Sequence, residues 1–323
     1  MVPDGTLDRF RSDLDALVPS GERIGIAVSG GPDSLALLLL AAQARPGEVA
    51  AATVDHGFRA DSRDEAEAVA KVCQTLGVRH AILAVEWDAT PTSAIQERAR
   101  SARYETLAGW MRDRSLTTLL TGHHLDDQAE TLIMRLSRGS GVTGLAGMRS
   151  TATVPGSPAL KLLRPLLGWR HAELEAICAE AGVTPANDPS NGDTRHERVR
   201  IRQALASADC VDAGAIARSA SNLAAADQAI EWAVDREWSD RVSRSDGTIV
   251  YSSSEAPAEI RRRIASRAIA ELASEGPRHF RSAELNRLVR TLEDGQTATL
   301  RGVSCKGGTH WEFRRAPLRR VAL

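Results

Sequence analysis

The chain has 323 residues, 42% hydrophobic and 26% charged, with a formal net charge of −1. That length accommodates two domains, and the composition is ordinary globular material, neither disordered nor fibrous. The longest uninterrupted apolar run, Leu35 to Ala42, is far too short to span a bilayer. The acidic N-terminus, MVPDGTLDRFRSDLD, lacks the basic and then apolar order of a secretory leader. Cys73, Cys178, Cys210 and Cys305 lie far apart with no CxxC, which argues against thiolate zinc or iron–sulfur chemistry and for reduced thiols in a cytoplasmic protein.

The first half alternates strands and helices. Residues 7–18 predict a leading helix, then strand 23–28 and helix 34–44, strand 48–54 and helix 62–76, strand 79–86 and helix 93–111, and strand 116–121 with helix 125–138. Repeated strand–helix units predict a parallel sheet with helices on both faces. In such sheets ligands bind beyond the C-terminal strand ends, and each motif below directly follows a strand. The Gly/Ser/Thr-rich stretch after Arg138 reads as a loop, with a short hairpin as the alternative. Residues 170–181 predict a helix closed by Gly182, NDPSNGD (187–193) a turn cluster, and a helix restarts near Arg198. A long helix over about 212–243 leads to a smaller unit with strand 248–251, helices 257–274 and 281–293, and strands near 297–303 and 309–314. The predicted organisation is an α/β domain over 1–208, a helical linker over 209–246 and a small α+β domain over 247–323.

The turn Ser29-Gly30-Gly31-Pro32-Asp33-Ser34 joins a buried strand (Ile24, Ile26, Val28) to an apolar helix. Glycines there let backbone N–H groups approach a bound group, and the helix start adds partial positive charge, a combination that binds phosphate. The turn has neither the lysine of GxxxxGK[ST] nor GxGxxG spacing. Asp55-His56-Gly57 ends the second strand, where the pair suits either nucleotide contact or a loop cap. In TGHHLDDQAETLIMRLSRGSG (121–141), Asp127 and Glu130 share a helix face, with Asp126 one turn from Glu130. Acids at a helix start are commonly a solvated face. Beside a polyanion they demand a bridging Mg²⁺ or a cationic substrate. Glu97, Arg100 and Arg103 line one helix, where Arg103 either pairs at the surface or approaches an α-phosphate or the substrate base. Arg195, Arg198, Arg200 and Arg202 form a basic cluster suited to nucleic-acid phosphates. Residues 191–323 hold 22 Arg/Lys against 18 Asp/Glu, while 1–190 hold 19 against 24, so charge permits a nucleic-acid partner without demanding one.

SGGPDS resembles the signature of the PP-loop ATP pyrophosphatases, which split ATP between the α- and β-phosphates. Together with VDHGFRADS (54–62), ERARSARYETL (97–107), the 121–141 segment, LLRPLLG (162–168) and NDPSNGDTRHERVRIR (187–202), the chain resembles the tRNA(Ile)-lysidine synthase family over about residues 22–202. Residues 248–315 are similar, more weakly, to that family's first tRNA-binding C-terminal domain, and no counterpart of the further domain of longer members is expected. Val199 stands where the family usually has asparagine.

The resemblance implies a Rossmann-like, adenine nucleotide alpha hydrolase-like fold and a C–N ligase. Its substrates would be ATP, free L-lysine and C34 of the isoleucine tRNA with a CAU anticodon. Ser29, Gly30, Gly31, Pro32, Asp33, Ser34, Asp55, His56 and Gly122 would contact ATP, and Asp33 and Asp127 would hold Mg²⁺. Asp33, Arg103, Asp127 and Glu130 would carry the chemistry, and Arg195, Arg198, Arg200 and Arg202 would grip tRNA. A homodimer is left open. The rivals are a 2-thiocytidine synthase, which would need cluster-binding cysteines, an ammonia-using small-molecule synthetase, and a non-catalytic nucleotide-binding module with no use for the acid-rich helix.

Overall fold

The computed structural model describes residues 2–58, 62–87, 94–186, 192–208, 211–252, 255–273, 280 and 282–317. The chain divides into two compact units, Met1–Arg138 with Ala146–Ser221, and Gly139–Leu145 with Asn222–Leu323. Cys210 and most of the turn cluster expected at 187–193 lie outside the described residues.

In chain order the elements are α1 (Asp4–Asp15), β1 (Ile24–Ala27), α2 (Pro32–Ala44), β2 (Val49–Asp55), α3 (Ser62–Thr75), β3 (Arg79–Ala84), α4 (Ile95–Asp113), β4 (Thr118–Leu120) and α5 (Leu125–Ser137). There follow α6 (Val142–Leu145), β5 (Thr151–Val154), β6 (Ser157–Leu163), α7 (His171–Glu180), α8 (Glu197–Ser207) and α9 (Ala213–Arg241). The first unit's sheet has the order β3-β2-β1-β4-β6-β5. Every pair is parallel except β5 with β6. The Gly/Ser/Thr-rich stretch forms the hairpin that its sequence allows, and the second strand of that hairpin extends the parallel sheet.

Period-two alternation decides what each face packs against. Ile24, Ile26 and Val28 join Phe10 and Leu14 of α1, the leucines of α2, and Leu174 and Ile177 of α7 in one core. The opposite face carries Ala27, Ala50 and Ala52, small enough to admit Tyr104, Leu107, Trp110 and Met111 of α4. At Gly25 a Cβ would lie 2.9 Å from the Trp110 ring, so the smallest side chain is needed there. Helix α2 is apolar on nearly every side because it is buried along almost its whole length. Strands β2 and β4 flank β1 on opposite sides, and the sheet's order reverses there. That reversal opens a crevice at the C-terminal end of β1.

The second unit contains β7 (Val242–Ser245), β8 (Thr248–Ser252), α10 (Ala258–Leu272), α11 (Ser282–Glu293), β9 (Thr297–Leu300), β10 (Val303–Lys306) and β11 (His310–Arg315). Its antiparallel sheet has the order β7-β8-β11-β10-β9, with Ile249, Tyr251, Trp311 and Phe313 buried against α10 and α11. Buried Arg263 reaches Asp227 at 2.7 Å, Glu259 at 2.8 Å and Thr143 at 3.0 Å. That bonding ties α6 into this unit. Two expectations need correction here. The helix expected to reach 243 stops at Arg241 because Asp246-Gly247, both at positive φ, folds β7 onto β8. The single strand expected over 297–303 is two strands, because Arg301-Gly302 adopts the same paired positive φ.

Candidate functional site

The Ser29–Ser34 turn closes on itself. Ser34 Oγ donates to the Gly31 carbonyl at 3.0 Å and accepts from the Ser29 N–H at 3.0 Å. Gly30 sits at φ +85°, a conformation that costs glycine nothing, and its carbonyl accepts from the Ala186 N–H at 2.9 Å. No side chain caps α2 at Gly31, and Pro32 occupies the first turn. The helix start thus keeps unclaimed N–H donors and its dipole for an anion.

Gly122 lets β4 approach this turn. A Cβ there would meet the Asp33 carbonyl oxygen at 2.8 Å and its carbon at 2.9 Å, and backbone cannot swing aside. Gly122→Ala is expected to cost about 1–3 kcal/mol and to weaken ATP binding about tenfold or more. Thermal melting and a nucleotide titration check both effects.

Ser29, Asp33 and Ser34 open onto a cleft of about 390 Å³, whose far wall is Arg100, Arg103 and Tyr104 of α4, with His56 and His123 at its sides. Arg103 is half-buried, and burial pulls its pKa down; Tyr104 opposes the shift and the neighbouring Arg100 reinforces it. Among the described residues no carboxylate pairs with it. His123 bonds Thr121 Oγ1 at 2.9 Å. Burial pushes its pKa down to about 4; Asp127 opposes the shift, and Arg164, Arg198 and Arg100 reinforce it. Because that folded value lies below 6.5, the neutral ring stabilises the fold above pH 6.5, and the contribution is lost as pH falls through about 4. The His123 ring resonances should stay those of neutral imidazole down to pH 5. Titration near 6.5 would refute this environment.

The remaining predicted nucleotide contacts divide. His56 lines the cleft, stacked on Phe58 at 5.7 Å, while the Trp87 indole N–H donates to the His56 carbonyl at 2.9 Å. Asp55 instead caps its own turn: Oδ1 accepts from the Gly57 N–H at 2.9 Å and from Ser62 Oγ at 2.7 Å. These bonds lower its pKa.

Beside the cleft, three helix starts converge. Asp33 accepts from His171 Nδ1 at 2.8 Å, and His124 Nε2 lies 3.6 Å from both Asp33 and Asp127. Asp126 accepts from the His171 N–H at 2.7 Å and pairs with Arg170. Although burial opposes it, His124 and these contacts hold Asp126 down at about 2. The Asp33 bond raises the pKa of His171; His124 is also raised, since three carboxylates outweigh its burial.

Asp127 and Glu130 do share a face, but they do not confront solvent. Arg198 bonds Asp127 Oδ1 at 2.5 Å and Glu130 Oε2 at 2.6 Å, and Arg202 bonds Glu130 Oε1 at 2.6 Å. Two of the four expected tRNA-gripping arginines therefore turn inward onto the expected catalytic acids. The other two stay outside, Arg195 on Asp193 and Arg200 on the Thr194 carbonyl. The bridging cation demanded by unpaired acids is here supplied by the protein. Sequence reading gave no role to His171 or Tyr104, and none of its own to His124. No local spacing could have joined His171 to Asp33, 138 residues away.

The PP-loop domain family matches residues 7–208. A tRNA(Ile)-lysidine synthase from Novosphingobium aromaticivorans is 48% identical over 97% of this chain and 94% of its own. The chain belongs to the tRNA(Ile)-lysidine synthase family. A family member from Zymomonas mobilis is 39% identical over 94% of this chain and 92% of its own. Among solved structures, the U34-tRNA thiolase NcsA from Methanococcus maripaludis, with its 4Fe-4S cluster, superposes with a TM-score of 0.58. At 18% identity, covering 68% of this chain and 79% of that one, it supports the fold alone. Membership in the tRNA(Ile)-lysidine synthase family makes this an ATP-using ligase. No described helix is long and apolar enough to cross a membrane.

Mg²⁺ prefers one or two carboxylates supplemented by phosphates and water. Asp33, at the cleft wall beside the uncapped helix start, fits that demand. Asp127 does not in this arrangement: Arg198 takes one of its oxygens and the His124 N–H, at 3.1 Å, the other.

Proposed function

We propose that the chain joins free L-lysine to C2 of C34 in the CAU anticodon of an isoleucine tRNA, converting ATP to AMP and pyrophosphate. One observation carries the chemistry: the uncapped Ser29–Ser34 turn lines one cleft of about 390 Å³ together with Arg103, which has no carboxylate partner among the described residues. The turn, with Gly30, Gly31, Pro32 and Ser34, cradles phosphates. His56 and Gly122 shape the cleft around the nucleotide, and Asp55 supports that wall through its turn.

The cytosine C2–O2 oxygen is a poor leaving group. In the first step O2 bonds the α-phosphorus and pyrophosphate leaves, with Arg103 stabilising the charge that develops at the α-phosphate. Mg²⁺ on Asp33 would supply further charge neutralisation at the phosphates. In the second step the lysine Nζ bonds C2, AMP departs with O2, and the amine loses its proton. Lysine's ordinary pKa of about 10.4 requires help with that proton. Asp127 and Glu130 attract the ammonium, which competes with Arg198 and Arg202 for the same oxygens. Arg195 and Arg200, together with any of the inward arginines so released, contact tRNA phosphates. The first unit forms the catalytic domain, and the second unit, which takes in Val234, Trp238 and β7, forms the tRNA-binding domain.

The test combines the protein with ATP, Mg²⁺, radiolabelled lysine and tRNA bearing a CAU anticodon. Label in acid-precipitable RNA, with AMP and pyrophosphate released, is the expected outcome. Formation of ADP, or unlabelled RNA, would overturn the reading.

A further inference from the structure

The geometry points to a transition-metal site built from Asp33, His124 and His171, separate in kind from the Mg²⁺ that accompanies ATP. The three residues come from three elements: the first turn of α2, the residue capping α5, and the first residue of α7. Their donor atoms all lie within 4.8 Å of one another. Ligands of a tetrahedral ion at about 2.0–2.1 Å stand roughly 3.3 Å apart. The Asp33–His171 and Asp33–His124 separations, 2.8 and 3.6 Å, bracket that spacing.

The donors select the metal. Two imidazole nitrogens and one carboxylate suit Zn²⁺ and its first-row neighbours, whereas Mg²⁺ seeks oxygen alone. The surroundings are those such an ion needs. His124 is 3% exposed, and its Nδ1, buried without a hydrogen-bond partner, lies 3.6 Å from Asp126. Asp126 thus stands by Nδ1, where carboxylates commonly support metal-bound histidines, while Nε2 lies 3.6 Å from both Asp33 and Asp127. Three helix starts bring partial positive charge here, but Asp33, Asp126 and Asp127 offset it. Arg170 and Arg198 are occupied by Asp126 and Asp127, which leaves Asp33 to the two histidines. Three protein ligands leave the fourth position exchangeable. Occupancy would hold the Asp33 carboxylate and inhibit the ligase by withdrawing it from Mg²⁺ and ATP. That consequence rests on the proposed role of Asp33; metal binding itself does not.

The experiment uses the full chain and Co²⁺ as a spectroscopic probe, with Zn²⁺ affinity measured by competition against a chromophoric chelator in excess Mg²⁺. One equivalent of Co²⁺ should give visible d–d bands of tetrahedral intensity without thiolate charge transfer, displaced by Zn²⁺ but not by Mg²⁺. His171→Ala should weaken Zn²⁺ by more than about tenfold, and Asp126→Asn by about 10–100-fold, with unchanged circular dichroism. No binding at neutral pH, binding indifferent to His171→Ala, or a thiolate band would each overturn the site. If Zn²⁺ binds at the histidines but leaves the ATP-dependent step untouched, the proposed role of Asp33 fails while the site stands.

Discussion

Glu130→Gln is expected to lower the melting temperature by about 4–8 °C and to abolish detectable lysine transfer. Glu130 is 1% exposed, and both its oxygens bond arginine Nε atoms at 2.6 Å, Arg198 on one and Arg202 on the other. Breaking a buried ion pair by removing one partner commonly costs about 3–5 kcal/mol. Here the arginines keep 38% and 45% of their side-chain surface, so water reclaims part of the loss and about 2 kcal/mol remains. For a unit of this size each kcal/mol moves the midpoint by roughly 2–4 °C. The amide also turns N–H donors toward guanidinium donors, so the two arginines lose their orientation as well as their counter-ion. Arg202→Ala, by contrast, leaves Glu130 held by Arg198 and should shift the midpoint by half as much or less. Equal shifts in the two variants would show that Glu130 is not the anchor of this cluster.

The first unit was legible because its signals are local. Ile24, Ile26 and Val28 alternate with Gly25 and Ala27, and that pattern alone specifies which face accepts α4. The Ser29–Ser34 turn is contiguous, so its chemistry could be read before its geometry was known. Misreadings occurred where a two-residue turn decided the outcome. Asp246-Gly247 and Arg301-Gly302 each reverse the chain at positive φ, and a helix or strand pattern running past them hides the reversal.

The acid-rich helix was harder for a different reason. Periodicity places Asp127 and Glu130 on one face, yet says nothing about what faces them. Their partners come from α8, 68 to 72 residues on, and a cluster that looks outward-facing in sequence can fold inward to neutralise a buried carboxylate. The Asp33–His171 contact was invisible for the same reason. Sequence spacing reports faces of one element, whereas pairing between elements is set by packing.

Arg103→Ala is expected to reduce the rate of pyrophosphate release by about 10²–10³-fold, with tRNA affinity unchanged. The residue lines the same cleft as the uncapped start of α2. Its pKa is depressed by burial, and Arg100 repels it. A cation held there with no carboxylate partner among the described residues costs the fold free energy that pairing would normally recover. Such an arrangement gains only when negative charge arrives, and the charge is greatest as the α-phosphate is attacked. Two signs therefore move in opposite directions. Activity should collapse in Arg103→Ala, while the melting temperature of the ligand-free protein should hold or rise, since an uncompensated charge has been removed. Arg103→Lys should fall between, keeping the charge but losing the planar fork that matches two phosphate oxygens. The decisive comparison is kcat against KM for ATP. Loss confined to KM would mean that Arg103 binds the nucleotide equally before and during the reaction, and the assignment to developing charge would fail. A lowered melting temperature would mean that an acid partner already compensates the guanidinium. The half-buried cation is stable here only as part of a site shaped around an anion it has yet to meet.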